Sequence, residues 1–497
     1  MTGETRTDFA VGAGRYPAIG GFRYPSATLL VVGAGCAVVV GAAASFGMLA
    51  GLFALGAAAL AVLVLLRPDI GALVLVTTAP VLSGLKRGLP VPGLRLSEAL
   101  IGLIAPIVLA TADRSRVRRW RAFDYLALAY AATTLLLGLF GLFARGESLT
   151  THLMGILIGP LQFFLLYRAV IVALPGANQQ RWVLRLVLIA SVPASLLALA
   201  QQYHLFGVRG LIPHLTGVDI DNLPQGEGNG TRATGLFPHW QVLAGYEFWI
   251  IMLGVGAYLE RGRVIAQWAL VPIIGLAVAA MFTTSTMTVI LGALVGIVAL
   301  GLWYGHLARV GAIVAVGTAI AFLAFGPALQ NRYHEQFGDK GRTRPAWVPA
   351  TMDYRYRLWR DQFVPAMSGY WWTGYGPDLP PSIRFRYTES LYFTLLVRGG
   401  IPLIFIYAGL TYALLAAAIR ARNDPHPTRR VVARMLAVAL VLLVGMHWVE
   451  PYFTFAGLGP LLWITGALAL GGVTVRVAAR APSSPRPRLP RTSPAPG

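Results

Sequence analysis

The chain has one cysteine, Cys36, so an internal disulfide and a cysteine-based metal site are both excluded. Lysine is nearly missing too. Lys86 and Lys340 are the only two, and the net charge of +21 therefore rests on arginine. Charged residues of both signs amount to only 12%, half of the roughly 25% found in soluble domains. The soluble basic face with stacking aromatics that nucleic-acid binding requires is not there, and no nucleic-acid partner is expected. No outer-face cluster of Asp, Glu and His has the look of a metal site, so neither metal nor cofactor is expected. The first apolar run passes directly into a second, with no small-residue cleavage site between them. No removable signal peptide is expected.

What the chain does contain is apolar sequence. Hydrophobic residues make up 56%, mean hydropathy is +0.64, and runs long enough to cross a bilayer, about 20 residues each, recur from Ala27 to Val475. Spans are predicted at residues 27–46, 48–66, 69–85, 97–112, 123–143, 152–173, 184–202, 239–259, 265–283, 287–304, 310–329, 390–419, 431–449 and 456–475. The fold class is all-α: a polytopic transmembrane helical bundle of about fourteen helices. The 390–419 segment is too long for one upright span and is expected to tilt or protrude. Residues 1–26 form an N-terminal segment, residues 27–475 the transmembrane domain, and residues 476–497 a disordered Arg/Pro-rich tail.

Arginines sort the connections into two sets. Arg114, Arg116, Arg118, Arg119, Arg121, Arg181, Arg185, Arg261, Arg263, Arg309, Arg420, Arg422, Arg429 and Arg430 fall on one side. The opposite short connections carry little charge apart from Lys86, Arg87, Arg95 and Arg145. The positive-inside rule then places the first set and both termini in the cytoplasm. Two long loops, 203–238 and 330–389, lie outside, the second between helices 11 and 12. That second loop goes against the trend, with Arg332, Lys340, Arg342, Arg344, Arg355, Arg357, Arg360, Arg384 and Arg386. Guanidinium forks suit phosphate oxygens. The same loop carries "MDYRYRLW" and "GYWWTGYG", whose aromatic faces suit sugar rings as well as a membrane interface.

Three stretches share the inferred outer face: "RATGLFPHW" at 232–240, "TTSTMT" at 283–288, and the 355–400 region with "RYRLWRDQF", "WTGYGPDLP" and "ESLYFTLLVRGGIPL". Their order resembles the O-antigen polymerase and O-antigen ligase family of bacterial envelope glycosyltransferases, over roughly residues 230–410. The resemblance implies a GT-C-like membrane glycosyltransferase of the bacterial inner (plasma) membrane. Its donor would be a glycan on a polyprenyl pyrophosphate, typically undecaprenyl. Its acceptor would be a glycan or a lipid-linked acceptor, with membrane lipid and envelope polysaccharide assembly proteins as further partners. The reaction would need no metal. Glu389 stands where the ligase branch has His, which favours the polymerase-like branch. Thr286 stands where the turn would supply an arginine, a role open to Arg232, Arg355 or Arg357. Transfer to another acceptor, as in the ligase branch, stays open. So does a transporter of an anionic lipid or solute, although no internal repeat of the kind transporters show is visible.

The chemistry asks for cations on the leaving pyrophosphate and a base for the attacking hydroxyl. Glu389, Arg232 and Arg357 are the expected catalytic residues. Arg355, Arg360, His239, Tyr375 and Arg398 are the expected substrate-binding residues. Burial would raise the Glu389 pKa, while arginines and a helix N-terminus would lower it. Asp353 and Asp361 either replace Glu389 or hold an arginine in place. Arg398, inside an apolar run, costs about 2.5–3.5 kcal/mol to insert. It lies nine residues beyond Glu389, roughly 13 Å deeper on a straight helix, so it cannot pair with Glu389. Glu247, about two turns into the 239–259 helix, is expected to meet an arginine.

Overall fold

The computed structural model describes residues 48–471, apart from 89–92, 112–119, 219–231, 262, 339–344, 346, 380–382 and 384–386. The expected 27–46 span, the two terminal segments, and Arg114, Arg116, Arg118, Arg119, Lys340, Arg342, Arg344, Arg384 and Arg386 lie outside the described residues. Met1–Arg67 forms one compact unit and Pro68–Gly497 a second. Within the first, helix α1 is Met48–Leu66, apolar throughout and free of acidic or basic residues.

The second unit is all-helical among its described residues. Its helices are α2 (Pro68–Leu82), α3 (Leu96–Thr111), α4 (Ala122–Ala144), α5 (Thr151–Ala173), α6 (Ala177–Gln202), α7 (Val208–Thr216) and α8 (Trp240–Leu259). They continue with α9 (Gln267–Thr283), α10 (Met287–Trp303), α11 (Leu307–Phe337), α12 (Ala350–Leu358), α13 (Leu391–Ala421), α14 (Pro427–Met446) and α15 (Leu458–Gly471). Five helices among the described residues are long and apolar enough to cross a membrane, namely α4, α5, α6, α8 and α13. They become six if the two halves of α11, bent by 52°, count as one span. Large apolar side chains such as Phe140, Phe143, Phe405 and Tyr412 lie exposed on helix exteriors, which suits contact with lipid.

Helix α8 sits at the centre. It packs against α6, α9, α10, α14 and α15, and nearly all of its side chains are buried. A helix that is hydrophobic all round can only be satisfied in this way. Its one charged residue, Glu247, is fully buried and accepts a hydrogen bond from Ser195 Oγ at 2.9 Å. Its Oε2 meets no partner, so the expected arginine is not present there.

Two long segments depart from the sequence expectation. Helix α11 runs on to Phe337 instead of ending near residue 329, and α12 follows it, so the 330–389 loop is partly helical. Helix α13 does not simply tilt. It breaks at Gly399 (φ −156°) and Gly400 (φ 66°, ψ −167°), the latter a conformation essentially reserved for glycine. The loop carrying Trp371–Gly376 fills the break. Ile401 N–H donates to Trp371 O at 2.8 Å, while Tyr375 N–H and Gly376 N–H donate to Val397 O at 2.5 and 3.3 Å. These bonds satisfy backbone groups that the break frees. A Cβ on Gly374 would strike Val397 O, and one on Gly400 would strike the Trp372 backbone. The paired glycines and the Gly-Tyr-Gly turn therefore answer each other.

Candidate active site

The connections at one end of the bundle interlock. Gly457 N–H donates to Ser83 Oγ at 2.6 Å, and Leu391 N–H to His447 O at 2.9 Å. Ala233 N–H donates to Thr283 O at 3.3 Å. This is the end where α13 begins. Ser390 is its N-cap residue, and its hydroxyl donates to His447 O at 3.2 Å. Glu389, just ahead of it, adopts φ 49°, a left-handed conformation that costs a non-glycine residue about 1–2 kcal/mol. That turn carries the carboxylate to the short helix α12.

Helix α12 presents Arg355 inward and Arg357 outward, as a spacing of two residues on a helix requires. Arg355 is buried. Its Nε lies 2.7 Å from Glu389 Oε2, and its Nη2 donates to Glu450 Oε1 at 3.2 Å. The Nε–H is poorly aligned for a hydrogen bond, so the Glu389 contact is mainly a charge–charge attraction. Glu450, in the connection between α14 and α15, also accepts from Tyr387 Oη at 2.6 Å and from Gln241 Nε2. One guanidinium thus faces two carboxylates, and a phenol and an amide complete the shell.

Burial dominates the electrostatics. It raises the Glu389 carboxyl above the usual range, and Arg355 opposes this without cancelling it. Burial pushes Glu450 up to about 8, against the lowering effects of Tyr387, Arg355 and Gln241. Tyr387 is raised well above the ordinary phenol value by burial and by Glu450, and so remains a donor. After α12 the chain continues as a π-helical turn, Trp359–Phe363, a feature frequent at functional sites. Within it, Trp359 Nε1–H donates to Thr388 O at 2.8 Å, and its ring stacks on Phe393 at 5.1 Å. This wedge fixes the backbone beside Glu389.

The start of α8 joins the same cluster through Gln241. His239 caps the helix, its Nδ1 accepting from Gln241 N–H at 3.3 Å, and its ring lies 3.7 Å from that of Trp240. Burial and the neighbouring Arg232 lower the His239 pKa to about 4, so the imidazole is neutral at physiological pH. Arg232 lies over Trp240 with its guanidinium carbon 4.9 Å from the ring centroid. Burial, with a smaller contribution from Arg332, lowers Arg232 to about 10, and it stays charged. Arg332 itself pairs with Glu335 at 2.6 Å.

Glu389 and Arg355 thus meet directly, and His239 and Arg232 connect to them through Trp240 and Gln241. The other expected site residues lie apart. Arg357 is exposed and pairs with Asp353 at 2.8 Å. Arg360 is exposed and pairs with Asp361 at 2.6 Å. Both aspartates therefore hold arginines in place. Tyr375 packs in the turn that fills the α13 break, where its hydroxyl donates to Ala366 O and its own carbonyl accepts from Arg145. Arg398 lines an internal cavity. Among the described residues, no three His, Cys, Asp or Glu side chains group so as to hold a metal ion.

Sequence reasoning passed over Glu450, Tyr387 and Gln241. The signal for Glu450 was a carboxylate followed by proline in "HWVEPYF", at the end of an apolar run on the same side as Glu389.

Residues 272–408 match the O-Antigen ligase family model. The matched stretch runs from α9 through the α13 break and includes Arg355, Arg357, Glu389 and Arg398. It supports an O-antigen ligase/polymerase-like membrane enzyme. Arg232, His239, Gln241 and Glu450 lie outside the O-antigen ligase match, so the cluster joins matched and unmatched segments. No curated protein matches the chain.

Proposed function

We propose that the protein transfers or polymerises a glycan carried on a polyprenyl pyrophosphate, at the extracytoplasmic face of a bacterial plasma membrane. The acceptor hydroxyl attacks the anomeric carbon, and its proton passes to Glu389. The bond from that carbon to the phosphate oxygen breaks, and the prenyl pyrophosphate leaves with the electron pair. Arg355 and Arg232 balance the charge that grows on the leaving group. Arg357, on the exposed face of α12, is poorly placed for that role. Glu450 is largely protonated near neutral pH, and it spares Arg355 from sharing itself between two full negative charges.

One observation carries this reading. Glu389 is held in a left-handed turn at the start of α13, ion-paired to a buried arginine, with its pKa above the ordinary carboxylate range. Backbone strain and a carboxylate perturbed upward at one position are marks of a functional base.

The test is the purified protein incubated with a lipid-linked oligosaccharide. A ladder of lengths supports polymerisation, and one discrete transfer supports ligation. Lipid that is chemically unchanged but moved across a vesicle membrane would favour transport and contradict glycan transfer.

A further inference from the structure

A cavity of about 300 Å³ lies beneath the cluster, walled by residues from α3, α4, α5 and α13 and by the connections above them. Tyr387 and Thr388 form part of its lining, so it adjoins the wall behind Glu389 and Glu450. Three arginines line it: Arg87, Arg95 and Arg398. The carboxylate in its wall is Glu98, and Arg87 occupies it on both oxygens, at 2.6 Å from Nη2 and 3.3 Å from Nε. The remaining Arg87 nitrogen donates to His152 O at 3.3 Å. Arg87 is therefore satisfied. Arg95 is not: its buried Nε has no hydrogen-bond partner. Arg398 has no hydrogen-bonded or ion-paired partner among the described residues. Two guanidinium groups thus face the cavity: Arg398 without a carboxylate partner, and Arg95 beside a single carboxylate, Glu98, that Arg87 already holds.

A half-buried guanidinium without an ionic partner pays desolvation that nothing in the protein repays, and an apolar residue at position 398 would avoid that cost. A ligand that supplies negative charge would account for the arginine's presence. We propose that this cavity is an oxyanion pocket, built to take a phosphate or carboxylate group. The planar forks of Arg95 and Arg398 suit either group in bidentate fashion, and the volume admits a pyrophosphate or a single acidic sugar. The pocket itself follows from charge and geometry. That its oxyanion is carried on a glycan substrate rests on the proposed transfer reaction.

The experiment uses the full-length protein in detergent and follows thermal unfolding with sodium pyrophosphate, sodium glucuronate or sodium chloride at matched ionic strength. Stabilisation by pyrophosphate above chloride identifies a lipid-phosphate source, and stabilisation by glucuronate an acidic sugar. In either case the apparent Kd should weaken about tenfold or more in Arg398→Gln and in Arg95→Gln. Without ligand, Arg398→Met should hold or raise Tm, because it removes a charge that nothing balances. A purely structural arginine would instead lose stability. Three results would each overturn the pocket: no stabilisation by either oxyanion, the same affinity in both arginine variants as in wild type, or a lower Tm in Arg398→Met. Glu389→Gln separates the two readings. It should keep the oxyanion response in full, whereas retained transfer activity in that variant would overturn the base assignment and leave the pocket standing.

Discussion

At one end of the bundle, Glu260 and Arg430 meet through two contacts of 2.7 Å each, Nε to Oε1 and Nη2 to Oε2. At the other end, Glu389 meets Arg355 through a single close contact of 2.7 Å, and Glu450 competes for the same guanidinium. The first arrangement is a fork on a fork, with one carboxylate for one arginine and every strong donor aligned. Arginines around it are used in the same way: Arg429 Nε donates to Gln180 Oε1 at 2.8 Å, Arg185 Nε to Val264 O at 2.9 Å, and Arg434 Nε to Arg422 O at 3.0 Å. These contacts tie that end together, although the buried Arg181 Nε there has no hydrogen-bond partner. The Glu389 end holds a strained carboxylate, a misaligned ion pair and a second carboxylate raised to about 8. Similar residue types serve cohesion in one place and, in the proposed reaction, leave reactive capacity in the other. Alignment and the ratio of carboxylates to guanidiniums make the difference.

The comparison breaks most sharply on a pair of isosteric changes. Glu389→Gln removes the proton acceptor and should reduce turnover about 10²–10⁴-fold while the protein folds and binds the lipid-linked donor. Glu260→Gln should do the reverse, costing about 2 kcal/mol of stability with turnover per folded molecule unchanged. Equal activity losses in the two variants, measured with purified protein at saturating donor, would erase the distinction between the ends.

A second contrast asks which end faces out. In a Cys36→Ser background, cysteine placed at exposed Ser368 should react with a membrane-impermeant maleimide in intact cells, whereas cysteine at exposed Asn423 should react only after lysis. The opposite labelling pattern would put the Glu389 cluster on the cytoplasmic side. The smallest effect is expected at Glu450. Because it is largely protonated below about 8, Glu450→Gln should be close to wild type near neutral pH. The two proteins should diverge only as pH rises past that value, where wild type gains a second negative charge and the variant does not. A large loss at pH 6 would show that Glu450 acts in its ionised form.

Much of the helical layout was legible because apolar runs end where charge or glycine begins. Trp240–Leu259 and Met287–Trp303 lie within a residue or so of the runs that announced them. What composition cannot give is rotation about a helix axis. Arg355 and Arg357 are equivalent as letters, and only the packing of α12 decides that one is buried and the other faces solvent. Helix α8 is apolar on every side, so no periodicity marks which face meets which neighbour. The α13 break was hidden because Gly-Gly inside an apolar run is also compatible with an unbroken span. Its meaning lies in a loop some 25 residues earlier in the chain. Glu450 was missed for a related reason: its partners, Arg355, Tyr387 and Gln241, are distant in sequence and assemble only when several connections meet at one end.

The dependence of turnover on pH, in wild type and in Arg355→Gln, tests the base assignment most directly. A base must be ionised, so activity should fall as pH drops through the Glu389 pKa. Burial places that acid limb above the ordinary carboxylate range. Arg355 favours the charged form, and its removal should move the limb to still higher pH, leaving less active enzyme at any given pH below it. An acid limb that stays in place when Arg355 is replaced, or one that persists in Glu389→Gln, would contradict the assignment of Glu389 as the proton acceptor.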